Sequence, residues 1–285
     1  MRSNILRALL ASLALLCLPV FANEAADPFA QAVHGPAQIP LRDQAVMNLP
    51  DGFVFLPKEP GIEVMQRMGN RTDERFMGLV FPKAQNAQWF VLAEYEAAGY
   101  IKDDDAKEWD ADALLQNLKD GTEAANEERR AAKQSELEVT GWAEVPRYDA
   151  ASHRLVWSAL ARIKGAPANE AATINYNTYA LGREGYISLN LVTDSSTIAS
   201  DKPAANILLS ALDFNEGKRY QDFNASTDKV AEYGLAALVG GLAAKKLGIF
   251  AMIGVFFAKF FKVIMVAGIA LVAGLGKFLG RSKSA

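Results

Sequence analysis

From Gly234 to Gly276 the chain reads GLAALVGGLAAKKLGIFAMIGVFFAKFFKVIMVAGIALVAGLG, without one acidic residue. No surface helix of a soluble domain is apolar on every side, so this stretch is expected to be a membrane segment. Lysines divide it into the runs 234–244, 247–258 and 263–276. Each run is too short to cross about 30 Å of hydrocarbon at about 1.5 Å per helical residue. Taken as one span, 247–276 is long enough. It places Lys259 and Lys262 near the bilayer centre at about 3 kcal/mol each, against about −0.3 to −0.6 kcal/mol from each apolar neighbour. The alternative is a hairpin with KFFK, residues 259–262, as its turn and the lysines snorkelling to the interface.

At about 100° per residue, Lys245, Lys259, Lys262 and Lys277 fall on one stripe, and Lys246 lies off it. The stripe suits either snorkelling at an interface or self-association around a wet seam. Arg281 and Lys283 close the chain, which puts its C-terminus in the cytoplasm by the positive-inside rule. The anchor is therefore read as 234–279, with its core span at 247–276 and a basic cytoplasmic tail at 280–285. An exported N-terminal domain then calls for an odd number of crossings, most simply one.

The start of the chain agrees with export. MRSNILRALLASLALLCLPVFA, residues 1–22, has a basic opening, a short apolar run and small residues before a cut after Ala22, as a secretory signal peptide does. The chain's one cysteine, Cys17, lies inside that segment. The mature chain is thus expected to have no disulfide, thiol nucleophile or thiolate metal site, which fits an oxidising compartment. Between residues 23 and 233 the formal balance is −12, and from 234 to 285 it is +7. An acidic domain repels phosphate, so nucleic acid is excluded as a partner. The expected location is the bacterial inner membrane, with the main domain, 46–233, in the periplasm.

Residues 23–45 read as a leader strand or linker. Beyond them, alternation of apolar and polar residues dominates. AVMNLPDGFVFLP (45–57) reads as two short strands about a Pro-Asp-Gly turn, and 59–70 as a short helix stopped by Gly69. Strands follow at 76–82 and 88–96, with KAQNA as the loop between them. A long helix is expected at about 111–133. Strands at 137–149, 153–164, 172–182 and 185–193 come next, and a final helix at 201–214 has Asp201 near its cap. The fold class is α+β, an antiparallel sheet with helices packed on one face, followed by the C-terminal transmembrane anchor. The ending, a hairpin, then a helix, then LLSALDF, resembles that of PsbP-like α/β/α sandwiches.

The densest cluster of charge is GYIKDDDAKEWDADALL, residues 99–115. Asp103, Asp104 and Asp105 are the candidate catalytic carboxylates. Read as a calcium loop starting at Asp103, the stretch has Lys107, Glu108 and Leu114 at positions that need an oxygen, a glycine and a glutamate, so the pattern fails. The acidic start of a helix explains more. Asp110 is a good N-cap, Asp112 sits in the first turn, and Arg129, Arg130 and Lys133 fill the far end, all ordered along the helix dipole. His34 and His153 are the only histidines and neither has metal-ligand spacing. No nucleotide-binding glycine motif and no G-x-S-x-G is present, so no cofactor and no metal site is expected. In INYNTYALG, Asn175, Asn177 and Tyr179 share one strand face, with Tyr176 on the other. The three are either an exposed polar face or a ligand- or peptide-binding surface.

The motifs LPDGFVFL, GLVFPK, GYIKDDDA, ANEERR, GWAEVPRYD, LVW, NYNTYALGREG and GKRYQDFNASTDKVAEYGLAALVGG resemble, in that order, the bacterial domain-of-unknown-function 2167 family. The likeness runs from about residue 35 to about residue 262. It implies an exported, membrane-anchored protein and carries no activity. Two functions are open on these grounds. One is a non-enzymatic envelope binding module, with the lipid bilayer as partner through its tail and with self-association or an envelope protein as a further partner. The other is a membrane-tethered enzyme built on the Asp103–Asp105 carboxylates, with or without a divalent metal.

Overall fold

The strands between residues 33 and 214 form two antiparallel sheets. The structure, a computed structural model, describes residues 27–84, 87–131, 133–167 and 172–240. The expected signal peptide, the core span of the anchor and the basic tail lie outside them. Among the described residues no helix is long and apolar enough to cross a membrane.

The first element among the described residues is a 3-10 turn at Pro28–Gln31 capped by Asp27. The chain then forms β1 (Val33–His34), β2 (Ala37–Leu41), β3 (Ala45–Leu49), β4 (Phe53–Pro57), α1 (Lys58–Arg67), β5 (Phe76–Pro82), β6 (Phe90–Glu96) and α2 (Ala111–Ala131). β7 (Leu137–Asp149), β8 (Arg154–Ile163), β9 (Thr173–Leu181), β10 (Tyr186–Asp194), α3 (Ile198–Ser210), β11 (Leu212–Phe214) and α4 (Ala237–Gly240) complete it. The large sheet has the order β1-β4-β5-β6-β10-β9-β8-β7, and the small one β11-β3-β2.

The structure adds detail to three local expectations. Of the stretch read as a leader strand or linker, residues 33–41 hold two strands that join the sheets, because β1 pairs with β4 and β2 with β3, and Ile39 and Leu41 are buried. The two strands about the Pro-Asp-Gly turn form as expected, but in different sheets. β3 belongs to the small sheet and β4 to the large one, so the turn, with Gly52 at φ 88°, carries the chain from layer to layer. The final helix starts earlier than expected, at Ile198, and ends at Ser210, where LDF leaves it as β11 and pairs with β3. Leu212 gains a buried position in that pairing, which outweighs its helix propensity.

Helices lie on both faces of the large sheet, not on one. On the first face Phe53, Phe55, Val91, Tyr95, Tyr176, Ile187, Leu189 and Leu191 pack with Leu208 and Leu209 of α3 and with Ile39, Met47 and Leu49 of the small sheet. On the second face α1 covers one end, where Val64 and Met65 meet Leu56, Phe76, Leu79, Phe90 and Val192. α2 covers the other end with Leu114 and Leu118, over Leu155 and Trp157. Central strands must bury both sides, and β10 does so at Ile187, Ser188, Leu189, Leu191, Val192 and Thr193.

α2 begins where the cap argument places it. Asp110 Oδ1 accepts from the backbone N–H of Asp112 at 2.8 Å and of Ala113 at 3.3 Å. Its partner beyond the sheet edge is the end of the domain: Leu235, Leu238 and Val239 are buried beside Leu114, Leu118 and Ile101. The first residues of the stretch expected to be the anchor are thus part of this core.

Candidate functional site

Asp103, Asp104 and Asp105 do not form one site. A 3-10 turn at Asp104–Lys107, separate from α2, points them apart. Asp103 Oδ2 accepts from the Tyr148 hydroxyl at 2.7 Å. Asp105 accepts from the backbone N–H of Leu235 at 3.1 Å and of Ala236 at 2.9 Å, as an N-cap does. Asp104 is exposed. Among the described residues no group of three or more His, Cys, Asp or Glu side chains is placed to hold a metal ion. Only Asp110 and Asp112 serve the start of α2.

The turn is fixed from its N-terminal side by Gly99. Its φ is +93°, and a Cβ there would stand 2.7 Å from the Lys229 carbonyl. Only glycine allows that approach. It lets Tyr100 bridge to Val230, with Tyr100 N–H donating to Lys229 O and Ala231 N–H to Tyr100 O, both at 2.8 Å. Tyr100 stacks on Phe223 and Tyr220, with ring centroids 3.8 and 4.4 Å away, and Tyr220 stacks on His153 at 4.1 Å. Tyr220 also donates its hydroxyl proton to Ile101 O at 2.7 Å.

His153 is the residue that its sequence position gave no reason to value. It occupies φ 52° at the tight turn into β8, and Tyr148 comes to it across the β7–β8 hairpin. His153 Nδ1 and the Tyr148 oxygen are 3.1 Å apart. Tyr148 has one proton and donates it to Asp103. His153 Nδ1–H must therefore be the donor to Tyr148, which leaves Nε2 as the acceptor nitrogen. Burial holds the His153 imidazolium below its usual pKa, with Asp103 and Asp149 pulling the other way. Burial and the Asp103 carboxylate both push the Tyr148 hydroxyl up, so it stays protonated. His34, by contrast, is exposed on β1.

The second set of expected residues does share a face. Asn175, Asn177 and Tyr179 of β9 lie on the α2 side of the sheet, opposite Tyr176. They are not a solvated polar face. Asn177 is buried, and so is the Asn175 side-chain oxygen. The register adds neighbours that one strand alone could not show. Asn190 and Trp157 flank Asn177 from β10 and β8, and Ser188 stands between Tyr179 and Glu94 of β6. Tyr186 packs edge-on against Tyr179, with centroids 5.5 Å apart.

This polar cluster lies on the sheet face that α1 and α2 also pack against. Asn177 donates to the Asn175 backbone carbonyl at 3.2 Å. The side-chain oxygens of Asn175 and Asn190 are buried and have no hydrogen-bond partner among the described residues. Burial pushes the Glu94 carboxyl up in pKa, with Arg75 opposing the shift. Burial likewise raises the Tyr179 hydroxyl, and Glu94 adds to it. Glu94 and Asn190 were legible in principle: each stands at an alternate position among apolar residues, in FVLAEYE and SLNLVT.

The class these features define is a two-sheet α+β domain with a buried polar cluster in its large sheet and no metal cluster among its described residues. The chain belongs to the family described as Protein of unknown function (DUF2167), whose match spans residues 33–270. None of the curated proteins matches it. Among solved structures, cyanobacterial PsbP (CyanoP) from Synechocystis sp. PCC 6803 is similar at 8% identity and a TM-score of 0.38. That similarity covers 65% of this chain and 92% of the other.

Proposed function

We propose that the chain is a non-enzymatic binding module, exported and tethered to the bacterial inner membrane by its C-terminal stretch, with its main domain in the periplasm. The observation that carries the binding reading is the pair of buried, partnerless carbonyl oxygens of Asn175 and Asn190 beside Tyr179. A buried acceptor left unpaired costs about 1–3 kcal/mol. A ligand that brings N–H donors recovers that cost, and a polypeptide backbone does so with regular spacing. The carboxylate-cluster enzyme gains no support, because the three aspartates diverge to different partners.

A photo-crosslinking residue at position 175, introduced into the full chain in cells, tests this reading against the same residue at exposed Ile207 on α3. A discrete protein adduct at 175 that is absent at 207 and lost in Asn190→Leu is expected. Identical adducts at both positions, or none at 175, would end the reading. Topology has its own test. A reporter active only in the periplasm should work when fused after residue 230 and be silent when fused after Ala285. Activity at both places would replace the single crossing with a hairpin that turns at KFFK.

A further inference from the structure

A cavity of about 440 Å³ opens at the end of the large sheet, away from the polar cluster of β9 and β10. It lies where the turn into β8 meets β11 and the segment at 219–221. Its lining includes Ser152, His153, Arg154, Asp213, Arg219 and Gln221. The size is that of a small-molecule site. Its charge runs against the rest of the domain: two arginines face a single acid in the lining, within a stretch whose balance is −12. Neither Arg154 nor Arg219 forms an ion pair among the described residues. Arg154 reaches only the Leu212 carbonyl, at 3.4 Å. Asp213 is engaged elsewhere, accepting from Asn48 Nδ2 at 3.0 Å.

His153 gives the cavity its chemical definition. Asp103 holds Tyr148, the Tyr148 oxygen accepts the hydrogen bond from Nδ1–H, and Tyr220 stacks on the ring. The ring is thus locked in one tautomer, and its second nitrogen is a hydrogen-bond acceptor. Two guanidinium groups and one fixed acceptor match an oxyanion that still carries a hydroxyl. We propose that this cavity binds a small hydroxylated oxyanion of the hydrogenphosphate class, with Arg154 and Arg219 taking the charge and His153 Nε2 accepting the ligand's O–H.

The test compares inorganic phosphate with sulfate, binding to the purified full chain at pH 7.5 by calorimetry. Sulfate has the same size and charge and no proton to give. Phosphate is expected to bind at least tenfold more tightly than sulfate. Arg154→Gln and Arg219→Gln should each weaken phosphate at least tenfold. Tyr148→Phe should erase the preference over sulfate while leaving the arginine-dependent binding. Thermal unfolding of every variant, with Arg162→Gln as a remote control, separates a lost site from a lost fold. No phosphate binding by a folded wild type, equal affinity for the two anions, or undiminished binding in both folded arginine variants would overturn the proposal.

Discussion

Asp105 accepts a hydrogen bond from the backbone N–H of Leu235, 130 positions further along the chain. The same carboxylate takes the N–H of Ala236, so one side chain caps the turn that leads into α4. The fit is close: a Cβ on Gly234 would stand 2.4 Å from Asp105 Oδ2. Replacing Asp105 by alanine is expected to cost about 0.5–2 kcal/mol, as loss of a cap does. Hydrogen exchange should locate the effect. Amides at 235–239 should lose protection while those of β9 and β10 keep theirs, and uniform loss or no loss would contradict the capping role.

Asn126 pins α2 to the sheet edge. It donates to the Leu137 carbonyl at 2.8 Å and accepts from the Leu137 N–H at 2.9 Å, fully buried. Asn126→Ala leaves a buried donor and a buried acceptor unpaired, so a loss of about 2–6 kcal/mol in urea unfolding is expected, at about 1–3 kcal/mol per group. Asn126→Asp should also destabilise, since it lacks the donor. A near-neutral result for alanine would mean that water replaces both bonds.

Glu94 gives the pH dependence a definite sign. Its folded-state pKa is raised above the unfolded value by burial, so protonation favours the folded state. The contribution is favourable below the unfolded pKa and is lost as pH rises through the folded one. Glu94→Gln is therefore expected to raise the Tm at pH 7.5 and to change it little at pH 4. An equal shift at both pH values would assign the effect to packing instead.

The two ends of the acidic stretch should respond differently. Asp110→Ala removes the observed cap of α2 and should cost about 0.5–2 kcal/mol. Asp104→Asn alters an exposed side chain and should stay within about 0.5 kcal/mol of wild type. Chemical denaturation of both variants checks the contrast, and it fails if Asp104→Asn costs as much as Asp110→Ala.

Much of the local structure was readable from period and caps. The limits of β7, the start of α2 at its aspartate cap and the shared face of Asn175, Asn177 and Tyr179 all follow from near-neighbour rules. Those rules fail where a residue's partner is remote. LDF could continue a helix by propensity, and it became a strand because β3 lay beside it. Helices were expected on one face of the sheet. They cover both, because the central strands carry apolar residues at successive positions, as in β10.

The candidate sites divide in the same way. Sequence alone determined the acidity of the domain, the absence of cysteine beyond Cys17 and the apolar character of 234–276, because these depend only on which residues are present. It also determined which residues of β9 look the same way, because alternation is a property of one extended chain. Only the tertiary structure decided that Asp103 meets Tyr148 while Asp105 meets Leu235, and that Glu94 and Asn190 join the face of Asn177. Those meetings are set by strand order and register. They arise from burying two sheet faces at once, a condition on the whole chain that no short window of sequence contains.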